Sequence, residues 1–262
     1  MRTLLFLFAV LSLSAGQDPN SGRMAAIASA HRGDWRAAEE HERRALAACR
    51  DCSPEVQAVL RAELAGYLTL GGFPEAAAAL WRQSLQSLPA NSPHRAAAYL
   101  GLGVALHSAG HTTDAAKAWR MACAAAENDT VANAACRFNV AVARMDAEPV
   151  WSELESVLPV LMTIDGPLSR ATVLLQTARA AIGANQSKRA RLLLAQADVV
   201  ITQELHPQHP FLAIVYQTEA QLAAIAGDQK QAKLWRKKAA KLPAGKGWDR
   251  VTVSLDELKG KQ

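Results

Sequence analysis

Aromatic residues are scarce in this chain: they make up 5% of its 262 residues, although half of all residues are hydrophobic. Few segments alternate apolar and polar residues with the period of two that a half-buried strand requires. A sheet protein is therefore disfavoured. Alanine supplies much of the apolar content and is the strongest helix former, so the composition predicts an all-α chain.

Catalytic and cofactor motifs are also missing from the sequence. It has no Gly-x-Ser-x-Gly elbow and no HExxH zinc motif, and the GxG at Gly101 and Gly103 lacks both a preceding strand and a third glycine. His107 and His111 have a spacing that can hold zinc on a helix, but Gly110 between them interrupts the helix which that geometry needs. We therefore predict a non-enzyme without a cofactor or a metal site.

Long hydrophobic runs are limited to the N-terminus. A short positive start is followed by an apolar run over 4–13 and by the small residues Ser14, Ala15 and Gly16. This pattern predicts a signal peptide over residues 1–16 and an exported protein, periplasmic or secreted, that begins with a polar lead over 17–23. The alternative, a membrane anchor, needs a run of about 20 residues. No later segment reaches that length, so we predict no transmembrane span after signal cleavage.

The positive charge is concentrated at one end. The net charge is +5, and residues 228–262 contain ten Lys or Arg against four Asp or Glu. Because export makes nucleic acid a poor partner, the alternatives are an anionic surface, such as a polymer or membrane headgroups, or a solvated capping helix. Residues 243–262 are predicted to form a basic C-terminal tail outside the folded array.

Four cysteines in an exported chain favour disulfide pairing. Cys123 and Cys136 lie almost symmetrically about the loop near Asp129, so two antiparallel helices would place them side by side. Cys49 and Cys52 form a CxxC pair. The second pair also allows a redox function or half of a zinc site, although no thioredoxin-like βαβ pattern surrounds it.

The stretch from Tyr99 to Cys123 predicts a helical hairpin. Leu102, Gly103 and Leu106 share one face of its first helix, Ala115, Trp119 and Ala122 share one face of its second, and Gly110 lies at the turn. Small residues thus face large ones. Such a hairpin leaves an outer face that only another stacked hairpin can bury, so we expect the unit to repeat along the chain.

These positions resemble the tetratricopeptide repeat family. The same spacing recurs 38 residues earlier, where Ala77, Trp81, Ser84 and Leu85 match Ala115, Trp119, Ala122 and Cys123. A 38-residue unit is longer than the ideal repeat of this family and is similar to the repeats of kinesin light chains. The resemblance implies a right-handed α-solenoid, all-α, of about six antiparallel helix hairpins over residues 24–242, with an incomplete first hairpin and an irregular fourth that contains Pro159.

The resemblance implies binding rather than catalysis, because the family mostly supplies docking surfaces. We therefore predict a non-catalytic scaffold that binds a protein or peptide partner in a concave groove lined by first helices. The residues predicted to line that groove are Leu100, Val104, His107, Ser108, Asn133, Arg144, Arg170, Thr177, Gln217 and Gln221. The alternatives are attachment to an anionic surface through the basic end, and a CxxC redox protein.

Overall fold

The structure is a computed structural model that describes residues 19–92, 94–126, 129–145 and 147–242. These residues form α-helices joined by short turns, and no strand occurs among them. The predicted signal peptide and the predicted basic tail lie outside the described residues. The helices are α1 Pro19–His31, α2 Trp35–Ala48, α3 Pro54–Leu70, α4 Pro74–Ser87, α5 Arg95–Ser108, α6 Thr112–Ala126, α7 Thr130–Arg144, α8 Trp151–Leu161, α9 Pro167–Gly183, α10 Ser187–Val200, α11 Phe211–Ile225 and α12 Gln229–Ala239.

Consecutive helices pair into six antiparallel hairpins that stack in chain order. The predicted all-α solenoid is confirmed. Several helix starts follow from capping residues: Asp34, Asp129 and Asp228 each accept a hydrogen bond from a backbone N–H in the first turn of the helix that follows. Ser53 does the same before Pro54, whose missing N–H has no helical partner to lose at that position. The sequence therefore encodes these boundaries locally.

The turn inside a hairpin needs a residue in the left-handed backbone region. Gly33, Gly72, Gly110 and Gly227 occupy it with φ between 75° and 89°, where a side chain would be strained. In the fifth hairpin the glycine near the turn, Gly183, is the last residue of α9. The left-handed position falls on Asn185, whose φ is 60°.

Helix α5 receives a tryptophan side chain on each of two sides. A Cβ atom added to Gly103 would lie 2.2 Å from the Trp119 ring of its own hairpin. A Cβ added to Gly101 would lie 2.1 Å from the Trp81 ring of the preceding hairpin. Both indoles are at most 2% exposed. Glycine at these two positions therefore makes room for the largest side chains of the core.

The N-terminal hairpin begins earlier than the sequence predicted. Residues 19–23 were assigned to a polar lead before a helix starting near Met24, whereas α1 already begins at Pro19. Two tertiary contacts explain the longer helix: Gly22 packs closely against Ala45 of α2, and Arg23 forms an ion pair with Glu63 of α3. The polar residues at the start of α1 do not predict a helix, because contacts with α2 and α3 stabilise it.

The second half of the stack is less regular. Helix α8 contains Pro159 and ends two residues later at Leu161. In the fifth hairpin, α10 continues into a π-helical turn over Ile201–Leu205 before the linker to α11. The second helix of the fifth hairpin therefore ends in a wider helical turn.

Both cysteine pairs are disulfide-bonded. Cys123 and Cys136 join α6 to α7 across the connection between the third and fourth hairpins. Cys49 and Cys52 close a short loop after α2, and the buried Cys49 packs with Ala45 and Leu60 in a small apolar cluster. The two bonds therefore crosslink the chain at the connections that follow α2 and α6.

The two ends of the stack touch, which the sequence did not predict. The turn of the first hairpin lies against the linker before α11, and a Cβ added to Gly33 would be 2.2 Å from Cδ of Pro210. The buried Trp35 packs edge-on against His209, with ring centroids 5.6 Å apart, and also meets Phe211. We call these five residues the closing contact. It turns the concave side from an open shelf into an enclosed space.

Candidate functional site

A cavity of about 160 Å³ lies on the concave side, where first helices from both halves of the stack meet. Helices α1 and α3 supply one part of its wall, and α4 and α5 contribute Trp81, Gly101 and Val104. The opposite wall comes from α9 and from Phe211 of the closing contact. We call this space the central cavity. It depends on the closing contact, because without it α1 and α11 would not share one wall.

The polar part of the wall is an ion pair. Nε and Nη2 of Arg23 donate to the two carboxylate oxygens of Glu63 at 2.7 and 2.6 Å. This bidentate bond is the main reason why the pKa of Arg23 is raised, and the charges of Glu63 and Glu42 add to it. Glu63 is only 6% exposed. The pair joins the first hairpin to the second and leaves little net charge in that wall.

Hydroxyl groups line other parts of the central cavity. Thr69 donates its proton to the carbonyl of Ala65 at 2.8 Å, and Thr172 donates to the carbonyl of Leu168 at 2.9 Å. A hydroxyl that has given its one proton retains acceptor lone pairs only. His31, from α1, completes this part of the wall, and burial lowers its pKa. At neutral pH the two threonine oxygens therefore offer acceptors in a largely apolar surrounding, and the neutral His31 ring carries one N–H and one acceptor nitrogen.

His209 is the polar centre of the closing contact and is fully buried. Its Nδ1 accepts from the backbone N–H of Phe211 at 3.2 Å, so the neutral ring carries its proton on Nε2. Burial lowers the pKa of His209 to about 4, and the nearby His31 and His206 act in the same direction. A hydrogen bond with the Ala30 backbone opposes the shift. The contact is therefore built around a neutral imidazole.

Three of the predicted groove residues are buried, which corrects the prediction of an open groove. Leu100 and Thr177 have no exposed surface, and the Thr177 hydroxyl donates to the carbonyl of Val173. Val104 is 4% exposed and lines the central cavity. The physical reason is that first helices of neighbouring hairpins pack on one another: α5, which carries Leu100 and Val104, contacts α3 and α7, and α9, which carries Thr177, contacts α11.

The other predicted groove residues lie in separate places. His107 packs against Trp119 with the two rings tilted by 53°, and the next residue, Ser108, is half-buried. Asn133 on α7 is half-buried, and its carbonyl accepts from Cys136 Sγ.

Two predicted arginines form ion pairs instead of lining a groove. Arg144 pairs with Glu148 and Glu153, and Arg170 pairs with Glu204. None of the ten predicted residues except Val104 lines the central cavity. The prediction did not include Arg23, Thr69, Thr172 or Phe211, because their spacing carries no repeat signal.

The basic end of the described chain forms a second surface. Gln217 and Gln221, both predicted groove residues, are exposed and line a shallow hollow with Ile225 of α11 and Arg236 of α12. On α12, Lys238 lies over the rings of Trp235 and Tyr216, and its Nζ is 4.3 Å from the Trp235 centroid. The lysines and arginines exposed there are Lys230, Lys233, Arg236, Lys237, Lys238 and Lys241.

Within the described ranges, no group of three or more His, Cys, Asp or Glu side chains is placed to hold a metal ion. His111 instead bonds to Glu75, with 2.8 Å between Nε2 and Oε1. Among the helices described, none combines the length and the apolar character that crossing a membrane requires.

Comparison with solved structures supports the fold. BtubC (BKLC) from P. vanneervenii superposes with a TM-score of 0.53 at 19% identity, over 84% of this chain and 90% of that one. PilF of Pseudomonas aeruginosa gives 0.48 at 17% identity over 85% and 90%. A kinesin light chain protein of TPR-like repeats from Podosopora anserina gives 0.48 at 20% identity over 71% and 95%. The chain thus has a tetratricopeptide-type fold, as its repeat spacing predicted. No protein-family model and no curated protein matches it.

Proposed function

We propose that this protein is an exported, non-catalytic scaffold of tetratricopeptide type that binds a protein or peptide partner on its concave side. The observation that carries the proposal is the central cavity, where first helices of five hairpins converge on a mostly apolar space. Buried apolar space at the centre of a solenoid is costly unless something fills it, because its lining loses packing contacts. A partner side chain that enters the cavity would restore them.

Site-directed photocrosslinking tests this proposal. A benzophenone amino acid at Leu70, which lines the central cavity, is expected to trap discrete partners in envelope or culture fractions of the native host. The same group at Leu192, which is 50% exposed on α10 and away from the cavity lining, is the matched control. The proposal fails if adducts from position 70 do not exceed those from position 192.

Export forms part of the proposal and is supported by the leader-like sequence over residues 1–16. Two disulfides among the described residues agree with an oxidising compartment. Mass spectrometry of the N-terminus should find a mature chain that begins at Gln17. A protein that retains Met1 in the cytosolic fraction would contradict export.

A second candidate function is attachment to an anionic surface through α12. The exposed cations of this helix lie beside the apolar side chain of Leu234, which is 48% exposed. Such a mixture suits the headgroup region of a membrane that contains acidic lipid. Flotation with acidic vesicles should then succeed at low salt and fail at high salt, since screening weakens the attraction.

The redox alternative has less support. Cys49 is 1% exposed and follows the C-terminal end of α2, where the helix dipole disfavours a thiolate. The Cys49–Cys52 bond packs into an apolar cluster and therefore suits a structural role.

A further inference from the structure

We propose that the central cavity recognises one uncharged aromatic ring that carries a hydrogen-bond donor, and that a tyrosine of the bound partner supplies this ring. The inference rests on the proposed scaffold function and specifies the chemistry of the same site. It is argued from the size of the cavity, from the rings in its wall and from the polar groups that this wall presents.

The size of the cavity fits a single ring. Its volume is about 160 Å³, and an apolar cavity of about 150 Å³ accommodates benzene. A phenol is only slightly larger than benzene, whereas a helix or an extended backbone is far too wide. The partner therefore inserts one side chain, and its backbone remains outside.

Aromatic side chains are concentrated in the wall. Tyr67, Trp81 and Phe211 come from three different helices and all line the cavity, although aromatic residues make up only 5% of the chain. A ring that enters between them makes edge-to-face and offset contacts that an aliphatic side chain cannot make. Small residues of the lining, among them Gly66 and Ala30, leave the space open.

Two threonine hydroxyls of the wall favour a ligand that donates a hydrogen bond. Thr69 and Thr172 have each given their hydroxyl proton to a backbone carbonyl, so they offer only acceptors. Both carboxylate oxygens of Glu63 already accept from Arg23. A phenol O–H supplies the proton that a threonine oxygen lacks, whereas a phenyl ring supplies none.

The charge of the wall disfavours a charged ligand. Arg23 and Glu63, the two oppositely charged residues of the lining, pair with each other through two hydrogen bonds, so neither is left unpaired for a partner ion. A phosphotyrosine or a lysine would lose its hydration in the cavity without gaining an opposite charge. The occupant is therefore neutral.

The test uses p-cresol, which is the tyrosine side chain without its backbone, and toluene, which is the phenylalanine equivalent. Calorimetric titration of the full mature chain should show about fivefold to tenfold tighter binding of p-cresol, because one hydrogen bond distinguishes the two probes. The double variant Thr69→Val, Thr172→Val keeps the shape and removes both acceptors, so it should abolish that preference and spare toluene binding. Val104→Phe fills the space and should block both probes, whereas the exposed Val199→Phe should block neither.

The probes also separate this inference from the scaffold function. Millimolar p-cresol is expected to compete with photocrosslinking from Leu70, and toluene is expected to compete less. Equal binding of both probes, or no binding of either, would overturn the inference even if partners are trapped. Preferential binding of p-cresol without any trapped partner would support the ring recognition and refute the scaffold function instead.

Discussion

Two turns of this molecule have the same backbone conformation and opposite surroundings. Gly33 lies in the turn after α1 and Gly72 lies in the turn after α3, with φ of 75° and 88°. A Cβ added to Gly72 would have no neighbour within 4 Å, and the next residue, Phe73, is 58% exposed. At Gly33 the added atom would collide with Pro210, and Trp35 nearby is 8% exposed. One turn is open, and the other is covered by the far end of the chain.

The comparison separates two kinds of contact. Stacking contacts join each hairpin to the next, as the packing of Trp81 against Gly101 shows. The closing contact joins the first hairpin to the linker before the sixth, so its partners lie far apart in the chain and no repeat spacing relates them. Stacking is therefore encoded locally, whereas closure depends on where the whole curve ends.

The largest expected effect concerns stacking. Replacing Trp119 by Ala should lower the free energy of unfolding by about 4 kcal/mol, because a fully buried indole leaves a cavity and the carbonyl of Leu100 loses its 3.2 Å hydrogen bond from Nε1. Urea unfolding followed by circular dichroism measures the loss. Met121 on the same helix is 50% exposed, and its change to Ala should cost less than about 0.5 kcal/mol. Similar costs at the two positions would show that the helix face is misassigned.

The sequence predicts the stacking contacts well because each needs only residues close in the chain. Repeated spacing accounts for the small residue Gly103 and for the tryptophans at positions 81 and 119. Local chemistry accounts for the capping residues before α3 and α7. The helix that begins at Pro19 was missed, since it depends on contacts with α2 and α3. Local patterns predict a helix poorly where tertiary contacts stabilise it.

The central cavity was not predicted for a similar reason. Its wall combines residues as distant as Arg23 and Phe211, which no periodic pattern connects. Small angular differences between hairpins add up along a solenoid, so six approximate repeats do not fix whether its ends meet. The available signal was the proline-bounded linker with His209, together with Trp35 at a turn. It indicates unusual residues but not that they are in contact.

The second prediction tests closure through pH. The folded pKa of His209 is about 4 and its ordinary value is 6.5, so the unfolded chain binds the proton first as the pH falls. Stability from this group is complete above pH 6.5 and decreases by up to about 3 kcal/mol as the pH approaches 4. His31, whose pKa is also lowered, acts in the same direction. Urea unfolding at pH 7 and at pH 4.5 measures the difference.

His209→Gln removes the titrating group and should flatten this pH dependence, whatever its effect at pH 7. His206→Gln, three residues earlier and half-buried, is the matched control and should leave most of it in place. If the slope were the same in wild type and in His209→Gln, closure would not be built around a neutral histidine.

The third prediction uses the two turns directly. Gly33→Ala and Gly72→Ala each place a side chain on a left-handed backbone, which should cost about 1 kcal/mol of stability in both variants. The change at Gly33 should cost about 2 kcal/mol more, because its methyl group collides with the rigid ring of Pro210. Hydrogen exchange should rise at residues 209–213 in the Gly33 variant alone. Equal losses and equal exchange would mean that the first turn is not covered in solution.

The smallest expected effect tests whether a glycine near a turn matters for stability only when its backbone is left-handed. Gly183 is the last residue of α9, and Gly227 lies in the turn after α11. A Cβ added at either glycine meets nothing within 4 Å. Only Gly227 has a positive φ, because in the fifth hairpin Asn185 takes the left-handed position. Gly183→Ala should therefore stabilise the protein by about 0.5 kcal/mol through helix propensity, and Gly227→Ala should destabilise it by about 1. Thermal unfolding of both variants shows the sign of each change in stability. A loss of stability in Gly183→Ala would mean that Gly183, and not Asn185, has the left-handed conformation.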